Sequence, residues 1–317
     1  MDWAWQCVEY SVEETYKNGL RGIREGATKR WRDALKKANQ LRVQWVGNPG
    51  TSVYEREWDV LVILDACRVD LMKEVADEYP FIGPIERFES LASVSKNWMR
   101  RNFEGEHAVN AAKTAYVTGN PFSRYLDDST FGYFDEVWRY AWDDDLHTIP
   151  ARPLTQRAIN VWRRREEQDV ERMIVHYMQP HAPFVPEPNL GTYGAPDDFG
   201  YGFADDIWSQ IGYTIPYEHV WRAFRDNLRY VLNDVEVLLK NMDADQPVLS
   251  ADHGNAFGER GIWGHPIDML LPCIREVPWI ETSAVDEHTH EPTLEQVEGI
   301  KDEQAVTNRL RNLGYAE

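Results

Sequence analysis

Asp252 and His253 stand side by side at the end of a short apolar run, in the stretch Leu249-Ser-Ala-Asp-His-Gly254. Gly254, Gly258, Gly261 and Gly264 then permit tight turns, and His265 returns a second imidazole just before Pro266. A carboxylate and an imidazole at the end of a buried strand are costly unless something compensates them, and a divalent cation is the usual compensation. The alternative is a plain Asp-His-Gly turn closing a strand. Two other apolar runs end in the same style. The run Val60-Leu-Val-Ile-Leu64 meets Asp65, and residues 170–177 bring His176, with His181 shortly after in Gln179-Pro-His-Ala-Pro183. Parallel strands put their carboxyl ends on one edge of a sheet, so groups far apart in sequence can converge there. Several such ends carrying Asp and His point to a hydrolytic metal site.

The elements that must position these groups are legible in outline. Residues 60–64 form an unbroken apolar run with β-branched members, as expected of a strand buried on both faces of a parallel sheet. Further strands are expected over 113–118, 134–140, 170–177 and 247–250, and helices over 70–79 and 154–167. The small-residue segment 90–100 leads into a helix through Trp98 and Phe103. Over 217–239, Val220, Phe224, Leu228, Val231, Val235 and Leu238 recur every three or four residues, which predicts a helix with one apolar stripe. Strands alternating with helices predict an α/β fold, a mostly parallel central sheet with helices on both faces. A helical arm over 9–45, interrupted near Gly19, Gly22 and Gly26, precedes it. The turn Asn48-Pro-Gly-Thr-Ser52 marks the expected boundary between an arm, 1–50, and a catalytic domain, 51–317. The Gly-, Pro-, Tyr- and Asp-rich loop 186–216 is long enough to be a functional lid or a disordered segment.

A net charge of −19 would repel a phosphate backbone, so nucleic acid is excluded as a generic partner. Scarce lysine and abundant Asp and Glu fit a halophilic, archaeal source, with an ordinary acidic protein as the alternative. Against this background the arm is basic: Lys17, Arg21, Arg24, Lys29, Arg30, Arg32, Lys36, Lys37 and Arg42 face only Glu25 and Asp33. A solvated helix packed on the acidic body is the favoured reading. The sharper one is an arm for a membrane surface or a partner, with Trp31, Leu35 and Leu41 as a modest apolar face. Cys7, Cys67 and Cys273 are too few and too scattered for a disulfide framework or a cysteine zinc site. No basic and apolar leader opens the sequence, and no apolar run reaches the ~20 residues of a membrane span. The expectation is a cytoplasmic protein, with association to a membrane surface through the arm as the variant.

The motifs together resemble the alkaline phosphatase/sulfatase superfamily, and within it the sulfatase-like branch that includes lipoteichoic acid synthase-type transferases. The residues that carry the resemblance are Val60-Leu-Val-Ile-Leu-Asp65 with Arg68, Gln179-Pro-His-Ala-Pro183, Ser250-Ala-Asp-His-Gly254 with Gly258-Glu259, and Gly264-His-Pro266. The tail Val306-Thr-Asn-Arg-Leu-Arg-Asn-Leu-Gly-Tyr315 is also similar to the usual sulfatase ending. The resemblance spans about residues 58–317. It implies an alkaline phosphatase-like fold and a divalent cation (Mn, Zn, Mg or Ca) held by Asp65, Asp252, His253 and the nucleophile. It places that nucleophile in the small-residue loop, where Ser95 aligns best and Ser93 competes; the alternative is that both only cap the following helix. His181 and His265 match the histidines that contact the transferred group, the leaving oxygen or a second metal. Arg68 either steadies the anion or pairs with an acidic neighbour, and His176 is expected to be a strand residue with a structural hydrogen bond. Many members have two consecutive acids where this chain has Asp65-Ala66. Cys67, followed by Arg68-Val-Asp70, does not fit the pattern oxidised to formylglycine. These departures favour phosphoryl over sulfuryl chemistry. The expected substrate is an anionic ester, phosphate before sulfate; a sulfatase of sulfated glycans and a non-catalytic binding protein of the same fold are the alternatives.

Overall fold

In a computed structural model of the chain, residues 30, 31, 34, 35, 37–190, 207–212, 215–296 and 307 are described. Most of the arm, the centre of the 186–216 loop and the sulfatase-like tail therefore lie outside the described residues. Val60–Leu64 forms β1, and all five side chains are buried. That is the environment its unbroken apolar run demands, each full burial contributing about 1.5–3 kcal/mol. Six more strands build the sheet around it: β2 (Glu86–Glu89), β3 (Thr114–Thr118), β4 (Tyr133–Glu136), β5 (Arg172–Tyr177), β6 (Pro247–Ser250) and β9 (Glu276–Glu281). The order is β2-β9-β6-β1-β5-β3-β4. β1 runs parallel to both β5 and β6, and β3 parallel to both β4 and β5. Only the edge at β9 and β2 is antiparallel. A separate two-stranded ladder pairs β7 (Ala256–Phe257) with β8 (Trp263–Gly264).

The helices cover both faces, as expected. They are α1 (residues 37–46), α2 (Val69–Val75), α3 (Ser95–Phe103), α4 (Ala108–Ala111), α5 (Ala151–Arg163), α6 (Ile207–Gln210), α7 (Tyr217–Leu239) and α8 (Pro272–Arg275). Neighbours along a strand point to opposite faces, and the last two residues of β5 show which helix lies where. The Trp98 ring of α3 packs 5.6 Å from His176, whereas Thr155 of α5 meets the Tyr177 hydroxyl at 2.8 Å. α7 lies against α5 and α2. Its whole predicted stripe, Val220 to Leu238, is buried.

The register sets the stage for the chemistry. Ile63 of β1 aligns with His176 of β5 on one side and with Ser250 of β6 on the other. Asp65 and Asp252 lie two residues beyond aligned positions, so both project to the face that His176 occupies. β2 and β9 escape sequence reading: β2 buries only Phe88 of its four residues, and β9 carries Pro278. The strand expected over 134–140 is shorter, giving way to a 3₁₀ turn at Val137–Arg139.

Just ahead of α1, Leu35 packs on the body, touching the Ile262, Met269 and Ile274 cluster. Trp31 Nε1 donates to Arg260 O at 2.9 Å and Gln40 Nε2 to Asp268 Oδ2 at 3.0 Å. Leu41 and Trp45 face solvent. Among the described residues no helix is long and apolar enough to cross a membrane.

Candidate metal centre

Asp65 emerges at the end of β1 and is wholly buried. Its Oδ2 accepts from Asn120 Nδ2 at 2.7 Å and from Ser95 Oγ at 3.3 Å, which leaves Oδ1 with no hydrogen bond among the described residues. Asp252, just beyond β6, is built the same way. Its Oδ1 accepts from Ala66 N at 3.2 Å and His253 N at 2.9 Å, and its Oδ2 has no hydrogen bond. Ala66 supplies its N–H from a left-handed backbone, φ 61°, a conformation costing about 1–2 kcal/mol in a residue with a Cβ. Gly254 lets the turn after His253 close, because a Cβ there would meet Cys273 O at 2.3 Å.

His176 completes the group. Tyr116 OH engages its Nδ1 at 2.8 Å, while its Nε2, 3.8 Å from Asp65 Oδ2 and 3.8 Å from Asp252 Oδ2, has no hydrogen bond. One ligand atom from each of Asp65, His176 and Asp252 lies within 4.8 Å of the others, all buried. This amends the expectation for His176: the structural hydrogen bond is present, and the other ring nitrogen joins the cluster. Three buried, unsatisfied donor atoms aimed at one point are costly to leave empty, so the residues fit a divalent cation. His253 borders the same point. A carbonyl only accepts, so the 2.9 Å contact with Gly254 O puts the ring hydrogen on Nδ1. That leaves an Nε2 lone pair 3.4 Å from Asp252 Oδ2, 3.8 Å from Asp65 Oδ1 and 3.3 Å from Ser95 Oγ.

Ser95 is the first residue of α3, buried, with its hydroxyl between Asp65 and His253. Ser93 does something else: its Oγ donates to Pro266 O at 2.9 Å and holds the turn after His265. Neither serine caps α3, whose N-cap is Val94. His265 stacks on His253 with ring centroids 4.4 Å apart, and its Nε2 lies 3.0 Å from His181 Nε2. His181 gives its Nδ1 hydrogen to Ala182 O at 2.5 Å, so in the neutral pair His265 Nε2 is the donor. Arg68 takes the second of its two readings. Its Nε donates to Asp70 Oδ1 at 2.8 Å, its Nη1 to Asn255 O at 2.7 Å and Glu259 Oε1 at 2.6 Å, and its Nη2 to Asp70 Oδ2 at 2.5 Å. The guanidinium thus ties α2 to the turn after the Asp-His pair. Cys67 is buried beside Asp65, and burial raises its thiol far above the ordinary range.

Electrostatics without a cation are strained. Burial and the Asp252 carboxylate hold Asp65 well above the usual carboxylate range. Burial also pushes Asp252 up, but His253 and His176 outweigh it and draw its pKa down. Burial pushes His176 and His181 down to about 4, and takes His265 well below its ordinary value. Sequence reasoning did not single out Asn120 or Tyr116. Asn120 sits in the Gly119-Asn-Pro121 stop, where it also caps a 3₁₀ turn by accepting from Phe122 N, and nothing local marks its second role.

No protein-family model matches the chain, and no curated protein does. Among solved structures it is similar to the soluble domain of lipooligosaccharide phosphoethanolamine transferase A from Neisseria meningitidis, at 13% identity and a TM-score of 0.47, covering 77% of this chain and 80% of that one. It is also similar to a putative sulfatase from Bacteroides thetaiotaomicron, at 12% identity, TM-score 0.46, over 82% and 71% of the two chains. A third is the lipoteichoic acid synthase LtaP from Listeria monocytogenes, at 13% identity, TM-score 0.43, over 81% and 72%.

Proposed function

We propose that the chain is a metal-dependent phosphoesterase or phosphotransferase with Ser95 as the nucleophile. The observation that carries this is the placement of the Ser95 hydroxyl against Asp65 and His253, beside three buried donor atoms with no other partner. Asp65, Asp252, His253 and His176 would hold the cation. Two carboxylates with two imidazoles suit Zn²⁺ or Mn²⁺ better than Ca²⁺, which prefers an all-oxygen set. When bound, the ion supplies positive charge that lowers the pKa of a nearby hydroxyl and neutralises an anionic ester.

Ser95 Oγ attacks phosphorus in line as the ester oxygen leaves. Its proton has an acceptor at 3.3 Å in Asp65 Oδ2, because the His253 Nε2 lone pair would be taken by the cation. The α3 N-terminus adds a favourable dipole for the developing negative charge. His265, carrying the hydrogen between itself and His181, is the candidate donor to the leaving oxygen. Water or an alcohol then releases the phosphoserine.

The test compares aryl phosphate with aryl sulfate turnover in Mn²⁺, Zn²⁺ and Mg²⁺, using the parent chain, Ser95→Ala and Ser93→Ala. Aryl phosphate turnover should fall on the order of 10⁴-fold or more in Ser95→Ala and survive in Ser93→Ala. Peptide mass spectrometry of a quenched reaction should find the phosphoryl group on residue 95. Full activity in Ser95→Ala, or after chelation, sinks the proposal. Turnover of aryl sulfate alone would make the protein a sulfatase.

A further inference from the structure

Away from the metal centre, α1, α3 and the turn after His265 border an open cavity of about 210 Å³. Two guanidinium groups line it, Arg101 and Arg275, with the amides of Asn48, Gln44 and Asn97. Asp268 is the one carboxylate among the lining residues, and it already accepts from Gln40 Nε2.

Arg275 is 3% exposed. Its Nε donates to Ser90 O at 2.9 Å and its Nη2 to Asn48 Oδ1 at 2.7 Å. Arg101 Nη1 donates to Leu91 O. Among the described residues no carboxylate oxygen lies within 4.0 Å of either guanidinium. A buried charge is ordinarily paired with an opposite one; here carbonyl and amide oxygens orient the buried Arg275 without neutralising it, and the exposed Arg101 adds a second positive charge at the rim. Burial, with the added charges of Arg101 and Arg42 and against the carboxylates of Glu89 and Asp268, pushes Arg275 down to about 10. The side-chain amides of Gln44 and Asn97 take no part in the hydrogen bonds of the described residues, so both can turn to an occupant.

We propose that this cavity is a binding site for a tetrahedral oxyanion, a phosphate or sulfate group, held by Arg101 and Arg275 with Gln44 and Asn97 as further donors. The volume is below the ~300–1,000 Å³ of sites that enclose drug-sized ligands. It suits an inorganic ion or one small esterified group, and not a nucleotide. The occupant contacts α1, α3 and the turn that carries Asp268 and Leu270, and so links the arm to the segment that positions His265. Ser93 belongs to both neighbourhoods, lining the cavity and holding Pro266 O.

Calorimetric titration of inorganic phosphate and of sulfate into the full chain, in chloride-free buffer of low ionic strength, tests this. Metal-free Asp252→Asn serves as the parent, so that the metal centre contributes no anion binding. One saturable site per chain is expected, about tenfold or more weaker in Arg101→Gln and unchanged in Arg100→Gln. Gln44→Glu places a carboxylate in the cavity; it should abolish binding and raise the melting temperature of the anion-free chain. The tighter of phosphate and sulfate names the class of occupant. Absence of a saturable site in the Asp252→Asn chain overturns the proposal, as does equal binding by the parent, Arg101→Gln and Gln44→Glu.

Discussion

Asp65 and Asp252, from strands on neighbouring positions of the sheet, bring carboxylate oxygens within 4.8 Å of each other in a site closed to water. Two such charges repel, and burial with the Asp252 carboxylate favours the protonated form of Asp65. A cation favours the carboxylate form instead. Metal binding is therefore expected to release protons. Calorimetry in buffers of different ionisation enthalpy reads the number directly. In Asp252→Asn the repulsion is gone, so the metal-free protein should melt no lower than the parent, while metal should cease to raise its melting temperature.

His176 separates two accounts of β5. If its Nε2 is a ligand, His176→Ala should remove most of the affinity for Zn²⁺ or Mn²⁺. Tyr116→Phe, which deletes only the partner of the other ring nitrogen, should weaken affinity roughly 10–100-fold. Metal competition titrations with a chromophoric chelator would show this ordering. Unchanged affinity in His176→Ala would return the residue to a purely structural role.

Stability of the metal-free chain should depend on pH with a definite sign. His176 and His181 are pushed down to about 4, below the ordinary value of 6.5. The unfolded chain then binds protons that the folded chain refuses between about pH 6.5 and 4. Their contribution is intact above pH 6.5 and is lost as pH falls, by roughly 3 kcal/mol each at most. Asp65 acts in the opposite sense: its folded proton is retained above the ordinary range, so rising pH penalises folding. Urea unfolding at pH 7 and pH 5 should show a net loss on acidification that is smaller in His181→Gln.

Far from the centre, Asp135 and Arg157 form a buried pair at 2.8 Å, with Asp135 also accepting from Tyr140 OH and Arg157 donating to Tyr133 OH. Asp135→Ala strands a guanidinium in the interior. A loss of about 3–5 kcal/mol is expected in urea denaturation. A change under 1 kcal/mol would mean that water reaches Arg157.

Much of this was legible in the residues, and the exceptions have physical reasons. β1, β6 and α7 match their expected bounds because an unbroken apolar run and a 3.6-residue stripe each admit one reading. Asp65, Asp252 and His253 were visible because they end apolar runs. His176 was visible as a residue but not as a ligand, since it lies inside its strand and only the register against Ile63 brings it level with the other two. Asn120 looks like an ordinary turn former. Ser95 and Ser93 are two residues apart in a loop whose path the sequence does not specify, and their different partners come from the fold. β2 hides because an edge strand buries too little to leave an alternating pattern, and β9, paired on both sides, because Pro278 interrupts its apolar run.

β1 lies between β5 and β6, and the three donors of the cluster come one from each of these strands or its end. The polypeptide emerges from synthesis in the order β1, β5, β6, so Asp252 is the last of the three donors to arrive. A nascent or truncated chain that stops before Asp252 has no complete cage. Capture of an ion therefore certifies that three distant segments have been laid side by side in the correct register.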